Sequence, residues 1–250
     1  MLIDRKSGRT GNEDRQLAVA LAGCAGMLNV LALGAFGLFP SNMTGNATQL
    51  SQELLQWDKL EMVPLILLLT SFLCGAFTSR VAVSLAKKVN LRTIYAHILL
   101  IEGILLIAPV VAGFWYPQNL QQGYYLFGLS FLLGAHNATS TQLSQGKVRT
   151  THITGTLTDA GIVLANLLLH PVLRHPPAQL KQFRYLLSVY FTSLISFFIG
   201  GLIGILGYEW LGMNAFILAG SILLAVSLLT LLRVLFRKRS KVLQGHPAQR

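Results

Sequence analysis

The apolar residues of this chain come in blocks long enough to cross a lipid hydrocarbon core, which needs roughly 20 residues of helix. No other property limits the available folds as much. We place spans at 17–38, 62–85, 94–114, 123–142, 185–208 and 213–236. Only 12% of the 250 residues are charged, about half the fraction of an ordinary soluble domain. The expectation is an all-α integral membrane fold with one membrane domain over 17–236. A polar N-terminal tail (1–16) and a basic C-terminal tail (237–250) flank it.

Loop lysines and arginines set the orientation of such a protein. The N-terminus carries Arg5, Lys6, Arg9 and Arg15, and the segment after the second span carries Arg80, Lys87, Lys88 and Arg92. Lys147, Arg149, Arg174, Lys181 and Arg184 follow the fourth span. Arg233, Arg237, Lys238, Arg239, Lys241 and Arg250 close the chain. With six spans these nineteen are all cytoplasmic and Lys59 alone is outside, so both termini are expected in the cytoplasm. The net charge of +11 then faces anionic lipid headgroups, and a nucleic-acid partner is not expected. Cys24 and Cys74 both fall inside spans and make neither a disulfide framework nor a metal-ligand spacing. Three acidic residues (Asp4, Glu13, Asp14) precede the first apolar run, so an uncleaved first span is expected rather than a signal peptide.

The segments 43–60 and 152–173 remain outside this scheme. The second is apolar enough to suggest a seventh span, but crossing would move Arg174, Lys181 and Arg184 outside. Entry and return on one side keeps the charge rule intact. Both segments belong to an internal repeat. Gly26-Met27-Leu28-Asn29 matches Gly134-Ala135-His136-Asn137, and Met43-Thr44-Gly45-Asn46 matches Ile153-Thr154-Gly155-Thr156. Ser71-Phe72-Leu73-Cys74-Gly75-Ala76 matches Ser196-Phe197-Phe198-Ile199-Gly200-Gly201, and Gly103-Ile104-Leu105-Leu106 matches Ser221-Ile222-Leu223-Leu224. The matches keep their order. Each half (17–114 and 123–236) therefore reads as span, TG element, span, span. Three crossings per half make the two repeats inverted, an arrangement that places solute sites at broken helices near the midplane.

Each TG element reads as a helix break followed by a helix start, with Asn46 and Gln49, and Thr156 and Asp159, at capping-box spacing. A helix start offers free N–H groups and the positive end of the dipole, which suits an anion or polar solute. Candidate solute-binding residues are Asn29, Thr44, Gly45, Asn46, His136, Asn137, Thr154, Gly155 and Thr156. Asp159 and Glu102 are carboxylates at membrane depth and hence ion-coupling candidates, with His97 or a neighbouring span as the partner for Glu102. The small residues Ser71, Gly75 and Ser79, and Ser196, Gly200 and Gly204, recur every fourth position and predict close helix packing between the repeats.

These same residues resemble the DUF1275, or YoaK-like, family of bacterial membrane proteins. The resemblance is carried by Ala25-Gly26 through Asn29, Phe39-Pro40-Ser41-Asn42-Met43-Thr44-Gly45-Asn46, Gly75-Ala76 through Arg80, Gly134-Ala135-His136-Asn137-Ala138 and Thr150 through Thr158. It implies a bacterial cytoplasmic membrane location and supplies no substrate. Such proteins usually carry an aspartate where Asn29 stands and a glutamine where His136 stands.

The expected function is secondary transport of a small polar or anionic solute. A scaffold or channel is the alternative. An intramembrane enzyme ranks lower, because no nucleophile motif, two-histidine zinc motif or paired carboxylate occurs. The expected partners are the bilayer and one small solute. A homo-oligomer is left open, and neither cofactor nor metal is expected.

Overall fold

A computed structural model describes residues 2–3, 9–56, 59–113 and 122–243, with side chains over 124–236 in the last stretch. The basic residues Arg5, Lys6 and Arg250 and the loop 114–121 lie outside the described residues, as do the side chains of Arg237, Lys238, Arg239 and Lys241. The described chain is helical and contains no strand. Its elements are α1 (Gly11–Leu17), a π-helical turn (Ala18–Ala22), α2 (Gly23–Phe36), α3 (Met43–Gln56), α4 (Lys59–Lys88) and α5 (Ile94–Gly113). There follow α6 (Gln122–Ser144), α7 (Ile153–Leu168), the single turn α8 (His170–Leu173), α9 (Pro177–Leu211) and α10 (Ala215–Leu243).

Among the described residues four helical stretches are long and apolar enough to cross a membrane: Gly11–Phe36, Lys59–Lys88, Ile94–Gly113 and Pro177–Phe236. The last is 60 residues long and would reach about 90 Å if straight. The turn at Gly212–Asn214, where Gly212 has φ 55°, divides it into α9 and α10. α6 is 23 residues long, but Ser130, His136, Asn137 and Ser140 dilute its apolar content. α7, at 16 residues, spans only about 24 Å, too short for a crossing of ~30 Å.

The helices pair tightly where glycines let backbones meet. α2 lies on α9, α4 on α6, and α5 on α10. A Cβ added at Gly26 would stand 2.1 Å from the Phe197 carbonyl oxygen, and one at Gly200 would stand 1.9 Å from that of Gly23. On the other pair, Gly134 approaches the Phe72 carbonyl oxygen at 2.1 Å and Gly75 that of Phe131 at 1.9 Å by the same measure. Gly103 and Gly220 each bring such a Cβ to 2.9 Å from the other's carbonyl oxygen. The small-residue faces expected on the second and fifth spans are thus used, each against the first helix of the opposite half. α3 lies on α4, and α7 on α9.

The N-terminal tail is not the free polar segment its composition suggests. Thr10 and Glu13 form a capping box that starts α1. Asp14 and Leu2 are fully buried. Asp14 accepts hydrogen bonds from Arg9, from the Lys147 ammonium (3.4 Å) and from the Tyr185 hydroxyl. At the other end α10 stays helical to Leu243, past the expected start of the tail.

Candidate functional site

Two chain reversals face each other inside the helix pairs. α2 stops at Gly37, whose φ of 72° ends the helix, and the chain turns through Pro40 to begin α3. α6 stops at Ser144, with Gln145 and Gly146 at positive φ, and the chain turns to begin α7. Between the two helix starts lies a cavity of about 300 Å³, to which Asn29, Phe39, Ser41, Asn42, Met43, Thr44, Phe72, Asn137, Thr151, His152, Ile153, Thr154 and Phe197 contribute.

The two reversals are fastened in the same way. The Asn29 side-chain oxygen accepts from the Ser41 backbone N–H at 3.3 Å and from the Ser41 hydroxyl at 2.7 Å. The Asn137 side-chain oxygen accepts from the Thr151 backbone N–H at 3.3 Å and from the Thr150 hydroxyl at 3.5 Å. Asn29 is buried, 8% exposed. Each asparagine satisfies a backbone donor that the reversal would otherwise leave without a partner.

The helix starts correct the expected capping. Asn46 and Thr156 are not caps, because both helices begin earlier, at Met43 and Ile153. Asn42 is the cap of α3: its Oδ1 accepts from the Gly45 N–H at 3.2 Å, and Asn46 instead donates from Nδ2 to the Phe39 carbonyl at 3.1 Å. His152 precedes α7, and the Thr156 hydroxyl donates back to the His152 carbonyl at 2.9 Å. The TG glycines therefore lie inside the first turn and supply room. A Cβ on Gly45 would be 2.3 Å from Asn42 Nδ2, and one on Gly155 would be 2.2 Å from His152 Nε2. Asp159, expected to complete a box with Thr156, pairs with the Arg149 guanidinium at 3.1 Å, both side chains about one-third exposed.

Of the residues singled out in the sequence, Asn29, Thr44, Asn137 and Thr154 line the cavity. Gly45, Asn46, Gly155 and Thr156 do not line it and stand in the first turns of α3 and α7. His136 and Glu102 do not line it. They meet each other in the bundle core: His136 Nδ1 is 2.8 Å from Glu102 Oε1, and His136 Nε2 is 3.0 Å from the Leu21 carbonyl oxygen. A carbonyl only accepts, so Nε2 carries a proton, and one further proton is shared between Nδ1 and the carboxylate. This pair joins α5, α6 and the π-helical turn of the first span. Of the two partners expected for Glu102, the neighbouring span is the one it meets, while His97 Nδ1 bonds the Thr93 carbonyl just before α5. The candidate solute-binding residues do not include Ser41, Asn42, Thr151 and His152, although all four fall within the stretches that carry the family resemblance. All four stand at the 110-residue offset of the TG match, so extending that match two residues backward finds them. His170 and His175 stack at 6.3 Å before α9, and no group of three metal-ligating side chains occurs among the described residues.

Comparison with known proteins adds one result. No curated protein and no solved structure matches the chain. The family model DUF1275, described as a protein of unknown function, matches residues 17–229. Apolar helices and paired helix reversals of this kind are thus features of a protein that belongs to the DUF1275 family.

Proposed function

We propose that the chain is a six-span transporter of a small polar or anionic solute, built from two inverted repeats that meet at the cavity. The carrying observation is that contacts exchange between halves: Gly26 meets Phe197 as Gly134 meets Phe72, and Asn29 holds Ser41 as Asn137 holds Thr151. Gly103 and Gly220 meet each other, as two equivalent residues on a two-fold axis would. That contact moves the last repeat match by one residue, pairing Gly103 with Gly220 rather than Ser221. An odd number of crossings per half lays the axis in the membrane plane. α3 and α7 then act as half-helices entering from opposite faces, with irregular backbone only where it borders a cavity.

The charge distribution supports the same topology, with both termini in the cytoplasm, and the family resemblance favours a bacterial inner membrane. Coupling to protons would fall to Glu102 and His136, which share a proton away from solvent. Asp159 is less suited, because Arg149 neutralises it at a partly exposed position.

Proteoliposomes test the reading. Solute uptake that depends on an imposed proton gradient is expected, and uptake indifferent to the gradient would make the protein a channel. Gly155→Val should abolish uptake while membrane insertion persists. Single cysteines at Lys59 and Arg174 should label from opposite sides. Labelling of both from one side overturns the inverted arrangement.

A further inference from the structure

Chemistry fixes the orientation of both cavity asparagines. A backbone N–H can only donate, so the atom facing Ser41 N and Thr151 N must be the amide oxygen. The amide nitrogens of Asn29 and Asn137 then have no hydrogen-bond partner among the described residues. Neither nitrogen is sealed from access, since the buried side-chain atoms without partners are His170 Nδ1, His175 Nε2 and Ser227 Oγ. Both residues line the cavity. A 92%-buried asparagine thus aims unused donors into it, and its counterpart in the other half does the same. The first-turn N–H groups of Met43, Thr44, Ile153 and Thr154 are also without partners among the described residues. They belong to helices of 14 and 16 residues whose dipoles add positive potential at the same place.

The lining contains donors in excess, no carboxylate, and no lysine or arginine. Arg149 is near the first turn of α7, but its charge is matched by Asp159. Amide and backbone N–H donors at helix N-termini suit an anion, and two such termini, each worth about half an elementary charge, together match about one negative charge. Phe39, Met43, Phe72, Ile153 and Phe197 supply apolar wall beyond the donors. We propose that the cavity binds a small monocarboxylate, its oxygens held by the Asn29 and Asn137 amide nitrogens and the first-turn N–H groups of α3 and α7, its apolar body against the phenylalanines. This rests on the reading of the cavity as the solute site, and not on movement of the solute.

The test uses the full purified chain in detergent, with butyrate and benzoate as probes, their neutral amides as matched controls, and sulfate as the dianion. At least one carboxylate should raise the melting temperature in a saturable way, while its amide and sulfate should not. Asn29→Asp and Asn137→Asp keep an oxygen for Ser41 and Thr151 but replace the donor with negative charge. Each should weaken carboxylate binding at least about tenfold, with the unliganded melting temperature near that of the parent. An amide that binds as well as its acid, tighter binding of sulfate, unchanged affinity in both folded variants, or no carboxylate binding at all would each overturn the proposal. Where a variant fails to fold, the acid-against-amide comparison on the parent chain decides. Gradient-driven uptake of a neutral solute with no carboxylate binding would leave transport standing and sink only this inference.

Discussion

α3 and α7 begin alike and continue differently. Each follows a reversal fastened by an asparagine, and each has a TG glycine tucked beneath the residue that precedes the helix. Beyond the first turn they diverge. α3 is polar, Met-Thr-Gly-Asn-Ala-Thr-Gln-Leu-Ser-Gln, and buries only Asn46. α7 is apolar, buries Thr156, Ala160 and Val163 along one face, and exposes Leu157, Ile162, Leu164 and Leu168 on the other. α7 also carries Asp159, which pairs with Arg149 in the segment before it. Constraint is therefore concentrated at the cavity end of both helices, while their bodies differ in polarity and burial.

Substitutions can break this likeness or refine it. The largest effect is expected at the helix crossings. Gly75→Leu and Gly200→Leu each drive a side chain into a carbonyl oxygen, and backbone cannot rotate aside, so the cost exceeds the roughly 1–3 kcal/mol usual for overpacking. Both variants should lose monodisperse protein on size-exclusion chromatography, and survival of one alone would show that the two crossings are not equivalent. Next comes a feature of one half only. Glu102→Leu leaves His136 without its acid and should cost about 3–5 kcal/mol, read as a fall in melting temperature; Glu102→Gln retains a hydrogen bond and should cost about 1 kcal/mol.

Smaller and matched effects are expected at the fasteners. Asn29→Ala and Asn137→Ala each strip a backbone N–H of its acceptor, for about 1–3 kcal/mol. Similar losses would sharpen the comparison, and a loss confined to Asn29 would assign the restraint to α3 alone. The smallest effect belongs to Asp159→Asn, which weakens a partly exposed pair by at most about 1 kcal/mol. Any larger drop in stability would mean that α7 depends on Arg149 in a way α3 cannot match.

The membrane-length helices were legible because apolar blocks of that length have few other uses. α4, α5, α9 and α10 enclose or nearly match the spans read from the sequence. The paired asparagines and TG turns recur along the sequence, and the two turns carry matching hydrogen bonds from Asn29 to Ser41 and from Asn137 to Thr151. The helix starts were not legible, because Asn46 and Thr156 satisfy a spacing rule, whereas α3 is capped by Asn42 and α7 begins after His152 with no side-chain cap. Nor was the bond from His136 to Glu102, 34 residues away in sequence. Which helices lie side by side decides it, and no local pattern carries that information. The burial of Asp14 escaped for the same reason, since its partners Lys147 and Tyr185 lie in other parts of the chain.

That buried aspartate sets an order of assembly. Asp14 is made 171 residues before the tyrosine that helps to hold it. At ordinary translation speeds the acid waits roughly 10–30 s before its last partner leaves the ribosome. Until then Asp14 has Arg9 but not its full set of partners, so α1 cannot settle into its final seat. A helix made early is therefore fixed in place late, and a lesion at Tyr185 would be felt 171 residues away at Asp14.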